Sequence, residues 1–148
     1  MTVITNLQQI YETDDHLWLL ETIKLLKQSR FDELDLENLI EELESLAKRD
    51  KHQVKSLLEQ VIRHLLLLQF WTEESERNYY HWQSEILGFR YQLEDRLTTN
   101  LRNYLAEEMN NIYNRALKYV QIKTKFKVDF PAECPYTLEQ LLDINDLG

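Results

Sequence analysis

The sequence predicts an all-α fold: a single-domain bundle of about five helices with a long central helix, and an extended, proline-containing arm leading to a short C-terminal helix. Three observations carry this expectation. Apolar residues recur at spacings of three and four along most of the chain, the period of a helix face. Only two Gly and two Pro occur in 148 residues, so few positions favour a sharp turn. The 43% apolar content, with three Trp, eight Tyr and five Phe, can fill the one core that a chain of this length closes.

Residues 1–12 read as an N-terminal arm, 13–124 as the helical body and 125–148 as the extended arm with its capped helix. Thr13 stands as an N-cap, followed by Asp14 and Asp15 where carboxylates suit the positive end of the helix dipole. Leu17, Leu20, Ile23 and Leu26, with Trp18 alongside, mark one face of a helix ending near Ser29. Asp35 opens the second helix, and Leu34 and Leu39 occupy the positions of a hydrophobic staple around it. Apolar positions then run 36, 39, 40, 43, 46 and 47, pause over the polar residues 48–53, and resume from 54 to 65. Neither Gly nor Pro interrupts residues 36–71, which favours one continuous or bent helix over two. Leu66 and Leu67 make its end apolar almost all round, the pattern of a helix at the centre of a fold.

Residues 72–77 read as a polar loop. A third helix follows from Trp82, Ile86, Phe89, Leu93 and Leu97. Gly88 in its interior costs about 1 kcal/mol relative to Ala and is expected to serve a close helix crossing. A fourth helix, opened by residues 98–100, follows from Leu101, Leu105, Ile112, Ala116 and Val120 and should end near Thr124. The stretch KTKFKVDFPAECPY contains both prolines and is read as the arm, anchored by Phe126 and Phe130. Thr137 and Gln140 then have capping-box spacing, with Tyr136 and Leu141 placed as a staple, opening a short helix through Leu142.

Taken together, YETDDHLWLLE, LDLENLIEELESL, HLLLLQF, HWQSEI and FPAECPYTLEQLLD resemble a bacterial family described as domain of unknown function 29, abundant in cyanobacteria. The resemblance spans nearly the whole chain. It implies a small helical protein and carries no catalytic or binding residue onto any position here. The family often has a Lys-Trp pair after its His-Leu-Leu motif, where this chain has Leu67 and Leu68.

Charge and motif content exclude several classes. With 26 acids against 17 bases the net charge is −9, a field that repels phosphate and tells against non-specific nucleic-acid binding. The first 50 residues hold 12 of the acids and 5 of the bases, so the partner question centres on them. Cys134 is the only cysteine, which excludes an intramolecular disulfide. Its neighbours Glu133 and Pro135 offer no cation to activate a thiolate. The start MTVITNLQQIYETDD has no basic region followed by an apolar one, and the longest apolar run, residues 65–68, is too short for a bilayer. The expectation is a cytoplasmic protein without a membrane partner. Two glycines leave no phosphate-cradling loop and no nucleophile elbow. There is no Cys-x-x-Cys, and none of the four histidines follows a glutamate by three residues, so zinc ribbons and helical di-iron sites are not expected. No cofactor and no catalytic residue are assigned.

One acidic candidate remains. Residues 32–44 hold seven acids and no base, and at 100° per residue Glu37, Glu41 and Glu44 lie within roughly 60° of one another. Three such carboxylates could hold Mg²⁺, and Glu41-x-x-Glu44 with Glu73-x-x-Glu76 echoes all-α nucleotide pyrophosphatases, although the second motif there ends in aspartate. The favoured reading is a solvated face whose acids suit the helix dipole, with Glu44 paired to Lys48. His64 is expected to be a packed, hydrogen-bonded ring, and the aromatic run Phe70, Trp71, Tyr79, Tyr80, Trp82, Phe89 and Tyr91 to be core more than groove. Two functions stay open. One is a non-enzymatic interaction or regulatory module whose acidic surface meets a protein partner or a second copy of the chain. The alternative is a metal-dependent phosphohydrolase acting on a nucleotide or another phosphorylated small molecule.

Overall fold

The computed structural model describes the backbone of residues 2–146 and the side chains of residues 7–146. All regular structure among them is helical: α1 (Thr2–Thr13), α2 (Asp15–Lys27), a 3-10 turn (Phe31–Glu33), α3 (Leu36–Phe70), α4 (Thr72–Arg96), α5 (Thr99–Lys123) and α6 (Leu138–Leu142). The chain divides into two compact units, residues 1–49 and 50–148, and the boundary falls inside α3 where the apolar periodicity pauses. The α3 helix itself is continuous over 35 residues, about 50 Å of rise.

In the first unit the expected N-terminal arm is helix α1 instead. Thr13 ends that helix, its hydroxyl donating to the Gln9 carbonyl at 3.0 Å, and Asp14 caps α2 by accepting from the Leu17 amide at 3.1 Å. The buried face of α2 is Trp18, Thr22 and Leu25, whereas the anticipated row Leu17, Leu20, Ile23 and Leu26 is 38–49% exposed. Trp18 decides the rotation. Its indole is the largest apolar surface on the helix, and its N–H needs an acceptor when buried. Asp35 Oδ2 supplies one at 3.2 Å, and Tyr11 meets the ring edge to face at 4.9 Å. Asp35 immediately precedes α3 as expected, yet its carboxylate accepts from Trp18 and from the Asn38 side chain at 2.7 Å, not from a backbone amide. Leu34 and Leu39 both join this small core, with Leu7, Leu25, Ile10 and Tyr11.

The second unit has a larger core. Eight residues of α3 between Val54 and Leu68 share it with Trp82, Ile86 and Leu93 of α4, and with Leu105, Ile112, Tyr113, Ala116 and Val120 of α5. The loop expected at residues 72–77 is the first turns of α4. Glu73 and Glu74 suit its positive end, and the Trp71 carbonyl accepts the amides of Glu74 and Ser75, so polar composition there marks a helix start. Gly88 serves no close crossing: a Cβ placed there meets nothing within 4 Å. Thr98 caps α5 through the Leu101 amide at 3.2 Å. Past Thr124 the chain reverses through Lys125 and Phe126, at φ 57° and 58°. That reversal turns Phe126 outward, 71% exposed, so it is no anchor. Phe130 is buried against Phe70 at 6.1 Å, and the Tyr113 hydroxyl donates to the Pro131 carbonyl at 2.5 Å. The Thr137–Gln140 capping box forms. Arg90, buried on α4, donates to the carbonyls of Leu141 at 2.8 Å, Gln140 at 3.1 Å and Asp146, closing α6 onto the unit. Among the described residues no helix is long and apolar enough to cross a membrane.

Candidate functional site

The first half of α3 carries Glu37, Glu41 and Glu44 on one exposed face. A continuous helix keeps them on successive turns with no second element contributing ligands. Among the described residues, no group of three or more His, Cys, Asp or Glu side chains is placed to hold a metal ion, and no Glu44–Lys48 pair forms. Beside these acids runs a second row, drawn from the apolar positions of the sequence pattern: Leu36, Ile40 and Leu43, spaced i, i+4, i+7 and 57, 54 and 56% exposed. The face of α3 that does pack carries Leu39 and Glu42, and Glu42 Oε1 accepts the Tyr11 hydroxyl at 2.7 Å. That carboxylate pushes the Tyr11 pKa up to about 12. On α2, Leu19, Ile23 and Leu26 are also exposed, roughly 100° around the helix from the face that Trp18 buries. The Trp18–Asp35–Asn38 hydrogen bonds fix α2 to the start of α3 and hold both apolar rows in place.

The remaining sequence candidates are structural. Cys134 is half-buried, burial pushes its thiol up, and its Sγ contacts the Tyr136 carbonyl at 3.4 Å, so it is a weak nucleophile. His64 donates from Nδ1 to the Gln60 carbonyl at 2.7 Å and lies against Phe89 at 5.4 Å, the packed ring anticipated. The aromatic run is split. Trp82 is buried and stacks on Trp71 at 6.3 Å, whereas Tyr79, Tyr80 and Tyr91 point to solvent. A cleft of 540 Å³ lies where the start of α4 meets the chain reversal after α5, and it sets Lys123, Lys125 and Lys127 against Glu73 and Asp129.

Sequence reasoning passed over two features. The exposed row Leu36–Ile40–Leu43 has the same spacing as a core face, and only its isolation from any packed element distinguishes it. Glu59, Arg63 and Arg115 form a three-residue ion cluster within the second unit, but Arg115 lies 56 residues from Glu59 in the chain. The available signal was the i, i+4 Glu59–Arg63 pair on α3.

No curated protein and no solved structure matches the chain. A family model, described as domain of unknown function DUF29, matches residues 10–146, and the chain belongs to that family.

Proposed function

We propose that the chain is a non-enzymatic interaction module whose first unit docks a basic, amphipathic helical segment of a partner protein along α3. The observation that carries this reading is the juxtaposition of Leu36, Ile40 and Leu43, each more than half exposed, with the acidic row Glu37, Glu41 and Glu44 on the same helix. Burying one Leu or Ile side chain is worth about 1.5–3 kcal/mol, so three in a row supply a docking energy that a scattered surface would not. A helix laid along such a face reads it at i, i+4, i+7, and an acidic flank selects lysines or arginines beside the apolar anchors. Charge also disfavours a second copy as the occupant. Residues 1–50 carry 12 acids and 5 bases, or −7, and two such surfaces repel each other.

The test uses two synthetic amphipathic helices with the same leucine face, one with lysine flanks and one with glutamate flanks. The lysine peptide is expected to bind the full chain, weaken with added salt, and lose binding to a variant carrying Leu36→Ser, Ile40→Ser and Leu43→Ser. Retained helicity of that variant shows that the loss is local. Equal binding of both peptides, or of neither, overturns the proposal. So does a concentration-dependent dimer that the triple variant abolishes, because the face would then belong to a second copy.

A further inference from the structure

In the second unit a cleft of 280 Å³ is lined by His52, Lys55, Ser56, Glu59, Arg63 and, from α5, Arg115. We propose that it is an oxyanion site for the phosphate group of a small phosphate monoester, independent of the docking face on the first unit.

The site is built on one face of α3, where residues 52, 56, 59 and 63 recur at four, three and four. Glu59 lies at its base, 5% exposed, and both carboxylate oxygens are taken: Oε2 by Arg63 Nη2 and Oε1 by Arg115 Nε at 2.8 Å. One buried carboxylate therefore orients two guanidinium groups without neutralising both. Lys55, Arg63 and Arg115 against Glu59 leave +2 around the cleft, in a chain whose net charge is −9. Among the described residues no acid pairs with Lys55, and the Nη groups of Arg115 make no hydrogen bond although Nε is held. Clustered cations repel, and an acidic chain that leaves them together gains most when an anion joins them.

Arg63 is the most constrained member. Its guanidinium lies over the Tyr119 ring, 3.7 Å from the centroid, and its Nε–H is buried without an acceptor. A buried donor left unsatisfied carries a desolvation penalty, which a purely structural ion pair avoids. Guanidinium forks match the oxygen geometry of phosphate, and the uncompensated +2 matches a dianion better than a carboxylate. Size limits the ligand further. Whole small-molecule sites occupy roughly 300–1,000 Å³, so this cleft takes the charged headgroup while the rest of the molecule stays in solvent. The face of the Tyr119 ring that Arg63 covers is not available to stack a base.

Thermal melts of the full chain at constant ionic strength test the assignment, with inorganic phosphate, glycerol 2-phosphate and acetate as probes. Both phosphates are expected to raise the melting temperature saturably, and acetate to leave it unchanged. Lys55→Gln, which breaks no ion pair or side-chain hydrogen bond among the described residues, and Arg115→Gln, at a side chain 66% exposed, should each weaken phosphate at least about tenfold, the loss of a charge-assisted hydrogen bond. Arg102→Gln, outside the cleft and paired with Glu139, should bind as the parent does. A shift of equal size with acetate, no shift with either phosphate, or a phosphate shift preserved in Lys55→Gln and Arg115→Gln overturns the proposal. The last outcome would place the ion elsewhere, with the lysines of the 540 Å³ cleft as its alternative.

Discussion

Residues 50–148 close nineteen apolar side chains into one core, whereas in residues 1–49 the buried apolar side chains among those described are Leu7, Trp18, Leu25 and Leu34 alone. The exposed large side chains differ in kind as well as number. Those of the second unit are mostly tyrosines, amphipathic rings at ease in water, with Leu87, Ile122 and Phe126 beside them. Among the described residues those of the first unit are ten in number, and the nine that are Leu or Ile run in rows along α2 and α3. A helix that is apolar on a face it does not bury is waiting for something to cover it. The second unit thus holds the larger buried core, and the first leaves exposed the apolar rows on which the docking proposal rests.

The largest effect that this comparison predicts comes from two leucines on the same helix. Leu65, 2% exposed in the second unit, should cost about 2–5 kcal/mol when cut to Ala, the range for emptying a packed leucine site. Leu43, 56% exposed in the first, should change stability by about 0.5 kcal/mol or less. Urea midpoints of the two variants measure both, and similar values would erase the distinction between the units.

A smaller effect, of opposite sign, is expected at Gly88. An added methyl group meets open space there, and the helix interior favours Ala over Gly by roughly 0.5–1 kcal/mol. Gly88→Ala should therefore raise the denaturation midpoint. A decrease would mean that α4 needs a flexible position there, and that the second unit is less rigid than its core indicates.

Much of the fold was legible because its signals are local. The start of α3 at Asp35 and Leu36, its unbroken run to Phe70, the Thr98 cap and the Thr137–Gln140 capping box each depend on residues within four positions of one another. What escaped depends on partners distant in sequence. Trp18 rather than the leucine row faces inward on α2 because Asp35, seventeen residues away, accepts its indole N–H. Phe126 is lost as an anchor because two left-handed residues reverse the chain under it. Arg90 holds α6 through carbonyls some fifty residues on, which no periodicity records. The candidate site was half legible for the same reason. The acidic row follows from spacing alone, whereas the exposure of Leu36, Ile40 and Leu43 is a property of what fails to pack on them.

Acid should act on the second unit through His64. Burial lowers its pKa from 6.5, with His81 and Arg63 adding to the shift and the Gln60 carbonyl and Glu85 opposing it. The unfolded chain therefore takes up this proton more readily than the native one. The associated stability is fully present above pH 6.5 and is lost as pH falls through the lowered native value. Urea midpoints taken from about pH 7.5 to about pH 5 should fall less steeply in His64→Gln than in the parent. Parallel slopes for His64→Gln and the parent would remove His64 as the source.

The smallest effect is expected at the acidic row, where it separates association from metal chemistry. Glu37, Glu41 and Glu44 are exposed and pair with no base among the described residues. Replacing all three by Gln removes only like-charge repulsion on a solvated helix, and exposed pairs of this kind contribute about 0.3–0.5 kcal/mol each. The triple variant should therefore melt within a few degrees of the parent and keep its helicity. Binding of the lysine-flanked peptide should nevertheless weaken and lose most of its salt dependence, because the acids steer the partner without holding the fold. Mg²⁺ or Mn²⁺ provides the contrary outcome. An ion bound by the three carboxylates would relieve their repulsion and stabilise the native state by mass action, raising the parent's melting temperature with added metal. We expect no such rise beyond that produced by an inert salt of equal ionic strength. A metal-dependent shift in the parent that vanishes in the triple variant would make the row a cation site, and would restore metal-dependent phosphoryl chemistry over docking as the use of this helix.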